Sequence, residues 1–365
     1  MVLKNYWWLL IWLLLFGGIS FLFIPKREEI VLGKPCMRWG RVPAAILALP
    51  YVIWAGFRHN FGDTEVYRTA FIQTPDTLSS LSSYLDDNAK SRGFALIRIL
   101  FKVLIADSDV AFFLLIAAIQ IFLLVRIYRK CSEDYWLSMY LFVGSVQYLS
   151  WVHNGMRQFL AVTIIFSALP LLIKRRYLLL SAVILLASQI HISALVFFPF
   201  IFLVNGKAWN LRTISVTVGV LLAVFFLDEV TGLISSSLED TAYEIDFSLY
   251  QDDDGTNLFR VLFFAIPTII SFVFRDRIEA ADDPLINACV NLSVVATAFY
   301  VFSMFSGGIL FGRVPVYFCL SNYILIPWFI KEFFDRESGI LVECGFIVLF
   351  TVFFYYQVGV TWSML

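Results

Sequence analysis

Charge is scarce in this chain. Only 15% of its 365 residues are Asp, Glu, Lys or Arg, whereas soluble domains carry about 25%. The 27 basic and 28 acidic side chains nearly cancel, so the formal net charge of −1 gives no electrostatic case for nucleic acid as a partner. The five cysteines, Cys36, Cys131, Cys289, Cys319 and Cys344, form no spacing motif. That excludes a disulfide framework and a zinc site and leaves packing as their role. A cleavage site is missing too. The first apolar run, Tyr6 to Ile24, is rich in Trp and is followed by Pro25-Lys26-Arg27, so it reads as an uncleaved first span.

What is abundant is hydrophobic residues, at 60% of the chain. Apolar runs of about 15–25 residues recur from end to end, the length that crosses a bilayer. The expected fold class is all-α, a polytopic integral membrane helical bundle forming one transmembrane domain over residues 1–365. Spans are expected near 6–24, 42–57, 109–127, 135–152, 155–173, 177–190, 191–204, 212–231, 258–274, 285–305, 309–330 and 340–361. The stretch 177–204 is one long helix or two halves meeting at His191. Residues 93–106 carry Arg98 and Lys102 at i,i+4 and are short for a span; they read as an amphipathic or re-entrant helix.

Basic residues in short loops favour the cytoplasm. The clusters Lys26/Arg27/Lys34/Arg38/Arg41, Arg126/Arg129/Lys130, Lys174/Arg175/Arg176 and Arg275/Arg277 all lie inside if 93–106 does not cross and 177–204 crosses twice. That solution has twelve crossings and both termini outside. Outer loops 58–92 and 232–257 then cap one face, and Arg58, His59, Asp63, Tyr67, His153, Arg157, His191 and Arg313 converge there.

Each of these polar positions has a plain reading beside a chemical one. Asp63 is a helix N-cap, or with Glu65 an acidic pair for a divalent cation. Arg157 is an interfacial anchor, or, one turn after His153 and beside Asn154-Gly155, a group facing a polar cavity. His191 is a core histidine, or the centre of the notch Gln189-Ile190-His191-Ile192-Ser193. Arg313 lies between Gly307, Gly308 and Gly312 on one side and Pro315 on the other, which suits a broken helix. The acidic stretch 239–254, with Tyr243 and Tyr250, reads as a lid. Arg58, Arg157 and Arg313 lack a nearby carboxylate in sequence and invite an anionic ligand. Guanidinium matches phosphate oxygens, and phosphates at a membrane face belong to lipids. A histidine among them can act as a general base.

Four ordered motifs carry a resemblance. Gly56-Phe57-Arg58 with Gly62-Asp63 and Tyr67, Asn154-Gly155-x-Arg157-Gln158, Gln189-x-His191-x-Ser193-Ala194-Leu195 and Arg313-x-Pro315-x-Tyr317-Phe318 look like those of the EpsG/Wzy-type polysaccharide polymerases. That family usually has a residue between the glycine and aspartate of the first motif; here Gly62 abuts Asp63. The resemblance implies a GT-C-like glycosyltransferase of O-antigen or exopolysaccharide synthesis, in the bacterial cytoplasmic (inner) membrane with its site facing the exterior. It would move a growing glycan from undecaprenyl pyrophosphate to a lipid-linked repeat unit, without cofactor, metal or nucleotide sugar. A chain-length regulator protein is an implied partner. Arg157 and Arg313 would bind pyrophosphate with help from Arg58, and His191 or Asp63 would take the acceptor proton. Tyr67, Gln158 and Asn154 would meet sugar. A flippase or transporter, which would show internal repeats, and a membrane acyltransferase are the competing readings.

Overall fold

The apolar runs fold as helices whose ends carry the expected polar signals. In the computed structural model, residues 5–58, 61–226, 255–306, 308 and 311–364 are described. The longest early helix, Asp109–Cys131, starts at Ser108, whose hydroxyl accepts from the Ala111 N–H at 3.3 Å, and ends with Arg129 and Lys130 in its last turn. Acid at the start and base at the end both complement the helix dipole. Asp134, Asn210, Asn257 and Asp335 cap later helices in the same way.

Three described helices are long and apolar enough to cross a bilayer: Asp109–Cys131, Pro284–Ser306 and Arg336–Thr361. Two bent pairs, Leu258–Val273 with Arg275–Ala281 and Phe311–Cys319 with Asn322–Phe333, raise that to five if each is one span. Six shorter apolar helices fall on other expected spans. The chain is thus a helical protein with several helices able to span a membrane. The total of twelve crossings and the GT-C likeness stay expectations of the sequence.

One element corrects the all-α expectation. The basic stretch after the first span is an antiparallel hairpin, β1 (Lys26–Val31) and β2 (Lys34–Trp39), with Lys26 opposite Trp39. Its two turn residues, Leu32 and Gly33, both have positive φ (51° and 88°), the backbone that suits the twist of a tight hairpin. Distant groups hold it. Arg129 makes two parallel bonds to the Glu29 carboxylate (2.7 and 3.0 Å) and a third to the Trp39 carbonyl, and Arg38 donates to the Lys130 carbonyl at 2.8 Å.

The chain divides into two compact units. The first comprises Met1–Leu169, Gln189–His191 and Ile326–Leu365; the second comprises Pro170–Ser188 and Ile192–Leu325. In the first unit, α1 (Trp7–Phe23) and α2 (Arg41–Gly56) are followed by small helices: α3 (Thr64–Ile72), α4 (Leu81–Asp87) and α5 (Arg92–Leu104). The loop expected at 58–92 is therefore largely helical. Next come α6 (Asp109–Cys131), α7 (Tyr135–Gly144), a π-helical turn over Tyr148–Asn154, and α8 (Met156–Ser167).

The amphipathic helix expected at 93–106 is α5, but its basic residues point inward. Lys102 donates to the carbonyls of Thr74 (2.6 Å) and Ile72 (3.1 Å) and pairs with Asp76 at 2.7 Å, while Arg98 donates to the Tyr84 hydroxyl. Apart from Arg92 at its start, its exposed positions are apolar, Leu96 and Leu104, followed by Ile105 at the C-cap. The stretch 177–204 is broken. Tyr177–Ser188 is helical, the chain turns at 189–191, and a 3₁₀ segment Ile192–Phe197 precedes a short helix Phe200–Leu203.

Candidate active site

The first two motifs meet through backbone and side chain. Asn154, at the end of the π-turn, accepts from the Asp63 N–H at 2.9 Å through Oδ1. The approach requires a glycine before Asp63. Gly62 has φ +52°, and a Cβ placed on it would overlap the Asn154 amide. Asp63 stands at the N-cap of α3, yet its side chain makes no capping bond. Among the described residues its half-buried carboxylate has no hydrogen bond or ion pair. Glu65, in contrast, pairs with Arg68 at 3.0 Å, so the two acids are not held as a cation-binding pair. Among the described residues no group of three or more His, Cys, Asp or Glu is placed to hold a metal ion.

One turn along α3, the Tyr67 hydroxyl accepts from the Arg157 N–H at 3.4 Å. Arg157 begins α8, and its Nη1 donates to Ser91 Oγ at 3.0 Å. Among the described residues its buried Nε has no partner and Arg157 makes no ion pair. A half-buried guanidinium held by one hydroxyl keeps most of its donors for another group. Ser91 is the N-cap position of α5, so the positive end of that helix lies beside the guanidinium.

Two residues on, the Gly93 N–H donates to the Gln189 carbonyl at 2.7 Å, and a Cβ there would meet the same oxygen at 2.8 Å. That contact brings the turn Gln189–His191 to the start of α5. The first unit thus gathers Asp63, Tyr67, Asn154, Arg157 and the His191 turn around α3, α5 and the start of α8. Gln158 is buried on α8. Ser91 and Gly93 were not singled out in the sequence, because a serine and a glycine in a polar connection carry no local mark of what they touch.

Arg58 is placed differently from the other two arginines. It is 3% exposed. Its Nε donates to the Ala55 carbonyl (2.6 Å), its Nη1 to the carbonyls of Val152 and His153 (3.0 Å each), and its Nη2 reaches Met156 Sδ at 3.5 Å. The guanidinium also lies 4.3 Å from the centre of the Phe113 ring. Burial lowers its pKa to about 10, so it stays charged at neutral pH. His153 is buried between the rings of Tyr148 and Phe61, and among the described residues neither ring nitrogen is bonded. Burial, with the nearby Arg58 charge, holds its pKa well below the usual imidazole range. A neutral, enclosed imidazole is a packing group, in keeping with its absence from the four motifs. His59 and the stretch 232–254 lie outside the described residues.

The second unit joins the later motifs. The Ser193 and Tyr317 hydroxyls are 2.8 Å apart, and Phe197 stacks on Phe318 with ring centres separated by 5.4 Å. Arg313 ends a 3₁₀ turn, Phe311–Arg313, whose Gly312 packs on Thr256. It belongs to this unit and is not among the residues that the first unit gathers.

These features define a helical membrane protein with a cation and an uncommitted carboxylate held beside a helix start. A match to the EpsG family spans residues 42–361, and the chain belongs to that family. In general terms the family is one of membrane polysaccharide polymerases with glycosyltransferase-like activity. Neither a curated protein nor a solved structure matches the chain.

Proposed function

We propose that the protein polymerises a polysaccharide at the outer face of the bacterial cytoplasmic membrane, using a glycan on undecaprenyl pyrophosphate as donor and a lipid-linked repeat unit as acceptor. An acceptor hydroxyl oxygen attacks the anomeric carbon of the donor. The bond from that carbon to the pyrophosphate oxygen breaks, and the pyrophosphate leaves with the electron pair. The hydroxyl proton passes to Asp63 or His191.

Arg157 is the observation that carries this reading. A guanidinium with no carboxylate partner, beside a helix N-terminus, suits the charge that develops on a departing pyrophosphate. Asp63, whose carboxylate is uncommitted, suits the proton transfer, and Tyr67, Asn154 and Gln158 are proposed sugar contacts. Positive charge supplied in this way does the work a metal ion would do, and a donor already activated as a pyrophosphate asks for no nucleotide sugar.

The test is synthesis in proteoliposomes from a purified undecaprenyl-pyrophosphate-linked oligosaccharide, with a chelator present. Longer glycans on a sizing gel are expected, and R157A is expected to slow them at least ~100-fold, the effect of losing one oxyanion donor. R313A is expected to weaken donor use in the same assay, as a second proposed phosphate contact. Transbilayer movement of the oligosaccharide without elongation would favour a flippase and sink the proposal.

A further inference from the structure

Arg58 belongs to the first motif, yet its donors point at protein. Its fork closes on two helix ends. Ala55 lies in the last turn of α2, and Val152 and His153 close the π-turn; both ends present carbonyls with partial negative charge. π-turns are rare and expose carbonyls that regular helix would bond, so this end needs a donor from elsewhere. Gln120 holds the other side of the same break, donating to the Met156 carbonyl at 2.8 Å. Asn154, which fixes Asp63, lies between these two clamps, and Arg157 follows directly after the second. Among the described residues Arg58 makes no ion pair, so carbonyl dipoles and the Phe113 face are what stabilise its charge.

From this geometry we infer that Arg58 is a positioning residue: it holds the end of the π-turn so that Asn154 and Arg157 are presented to Asp63 and to the donor's pyrophosphate, and does not itself bind the donor. The inference rests on the reading of Arg157 given above. It differs in kind from a third phosphate-binding arginine. The fork matters here: Nε serves Ala55 while Nη1 serves Val152 and His153. The donors of an ammonium all leave one nitrogen and cannot reach both helix ends in this planar arrangement.

The test is a double-mutant cycle on the full-length protein in proteoliposomes, with R58Q, R58K, R157A and R58Q/R157A. The part of Arg58's effect that runs through Arg157 vanishes once Arg157 is gone, leaving the part that runs through Asn154 and Asp63. R58Q/R157A is therefore expected to lose clearly less than the product of the two single losses, and R58K to be impaired nearly as much as R58Q. Multiplying losses, or R58K near wild type, would overturn the inference, since a phosphate ligand tolerates lysine far better. A readout independent of activity is amide exchange of the peptide containing Asp63, expected to speed at least ~10-fold in R58Q.

If R157A proves fully active, the assignment of Arg157 fails while this exchange still decides the positioning role; exchange at the wild-type rate would then overturn it. Should R58Q not yield monodisperse protein, F113L, which removes the ring beneath the guanidinium, replaces it in both measurements. The same outcomes, smaller in size, then decide.

Discussion

The backbone N–H of Asp63 donates to the side-chain oxygen of Asn154 across 91 positions of sequence, at 2.9 Å. One bond thereby ties the start of α3 to the end of the π-turn. It sets an acid whose carboxylate has no partner among the described residues beside a segment that carries Arg157, which makes no ion pair among them.

That contact tolerates no side chain at position 62. G62A would place a methyl group against the Asn154 amide in a backbone conformation that alanine adopts poorly. The expected cost is about 1–3 kcal/mol of stability, with elongation reduced at least ~10-fold. N154A removes only the acceptor, and a smaller loss of about 0.5–1.5 kcal/mol is expected. Thermal unfolding in detergent and the elongation assay check both. A G62A protein with wild-type activity would show that the contact is dispensable.

Asp63 and His191 are alternative proton acceptors, and isosteric variants separate them. D63N keeps the backbone bond to Asn154, because that bond uses the N–H alone. If Asp63 takes the proton, D63N is expected to lose ~100-fold or more in rate, the scale of general-base catalysis, with KM little changed. H191Q would then cost ~10-fold or less. The reverse order of the two would transfer the role to His191.

The hairpin is expected to loosen in acid. The hydrogen bond from Arg129 lowers the Glu29 pKa below its ordinary value of 4.5. Burial pushes Glu133 up, but its bonds and charges with Lys331 and Arg38 outweigh that, so its pKa is lowered as well. A group with a depressed folded-state pKa stabilises fully above its unfolded pKa and loses that contribution as pH falls through the folded value. After correction for intrinsic rates, amide exchange over 26–39 is expected to be flat from about pH 5 to 8 and to rise below about pH 4. E29Q should flatten part of that rise; an unchanged E29Q profile would assign the loosening to another group.

Much of this protein is local in origin and so was legible from the chain. Helices follow from long apolar runs with Ser, Asp or Asn at their starts. The helix 92–104 follows from its spacing of apolar and basic residues. Three polar side chains within one apolar stretch marked the place near His191 but left one helix or two open, which the fold resolves as a break. The hairpin was not legible. Its strands mix charge and apolar side chains without a strong alternation, and the bonds that hold it come from Arg129 and Lys130, some 90 residues away.

The site divides along the same line. Residue type alone marked Arg58 and Arg157 alike as sites that invite an anion, because an arginine in an apolar chain looks the same whatever it faces. Only tertiary packing distinguished them. It closed carbonyls around Arg58, gave the Arg157 guanidinium the Ser91 hydroxyl, and among the described residues left the Asp63 carboxylate uncommitted. The physical reason is that a polar group's role is set by which partners satisfy it, and here those partners lie on other helices.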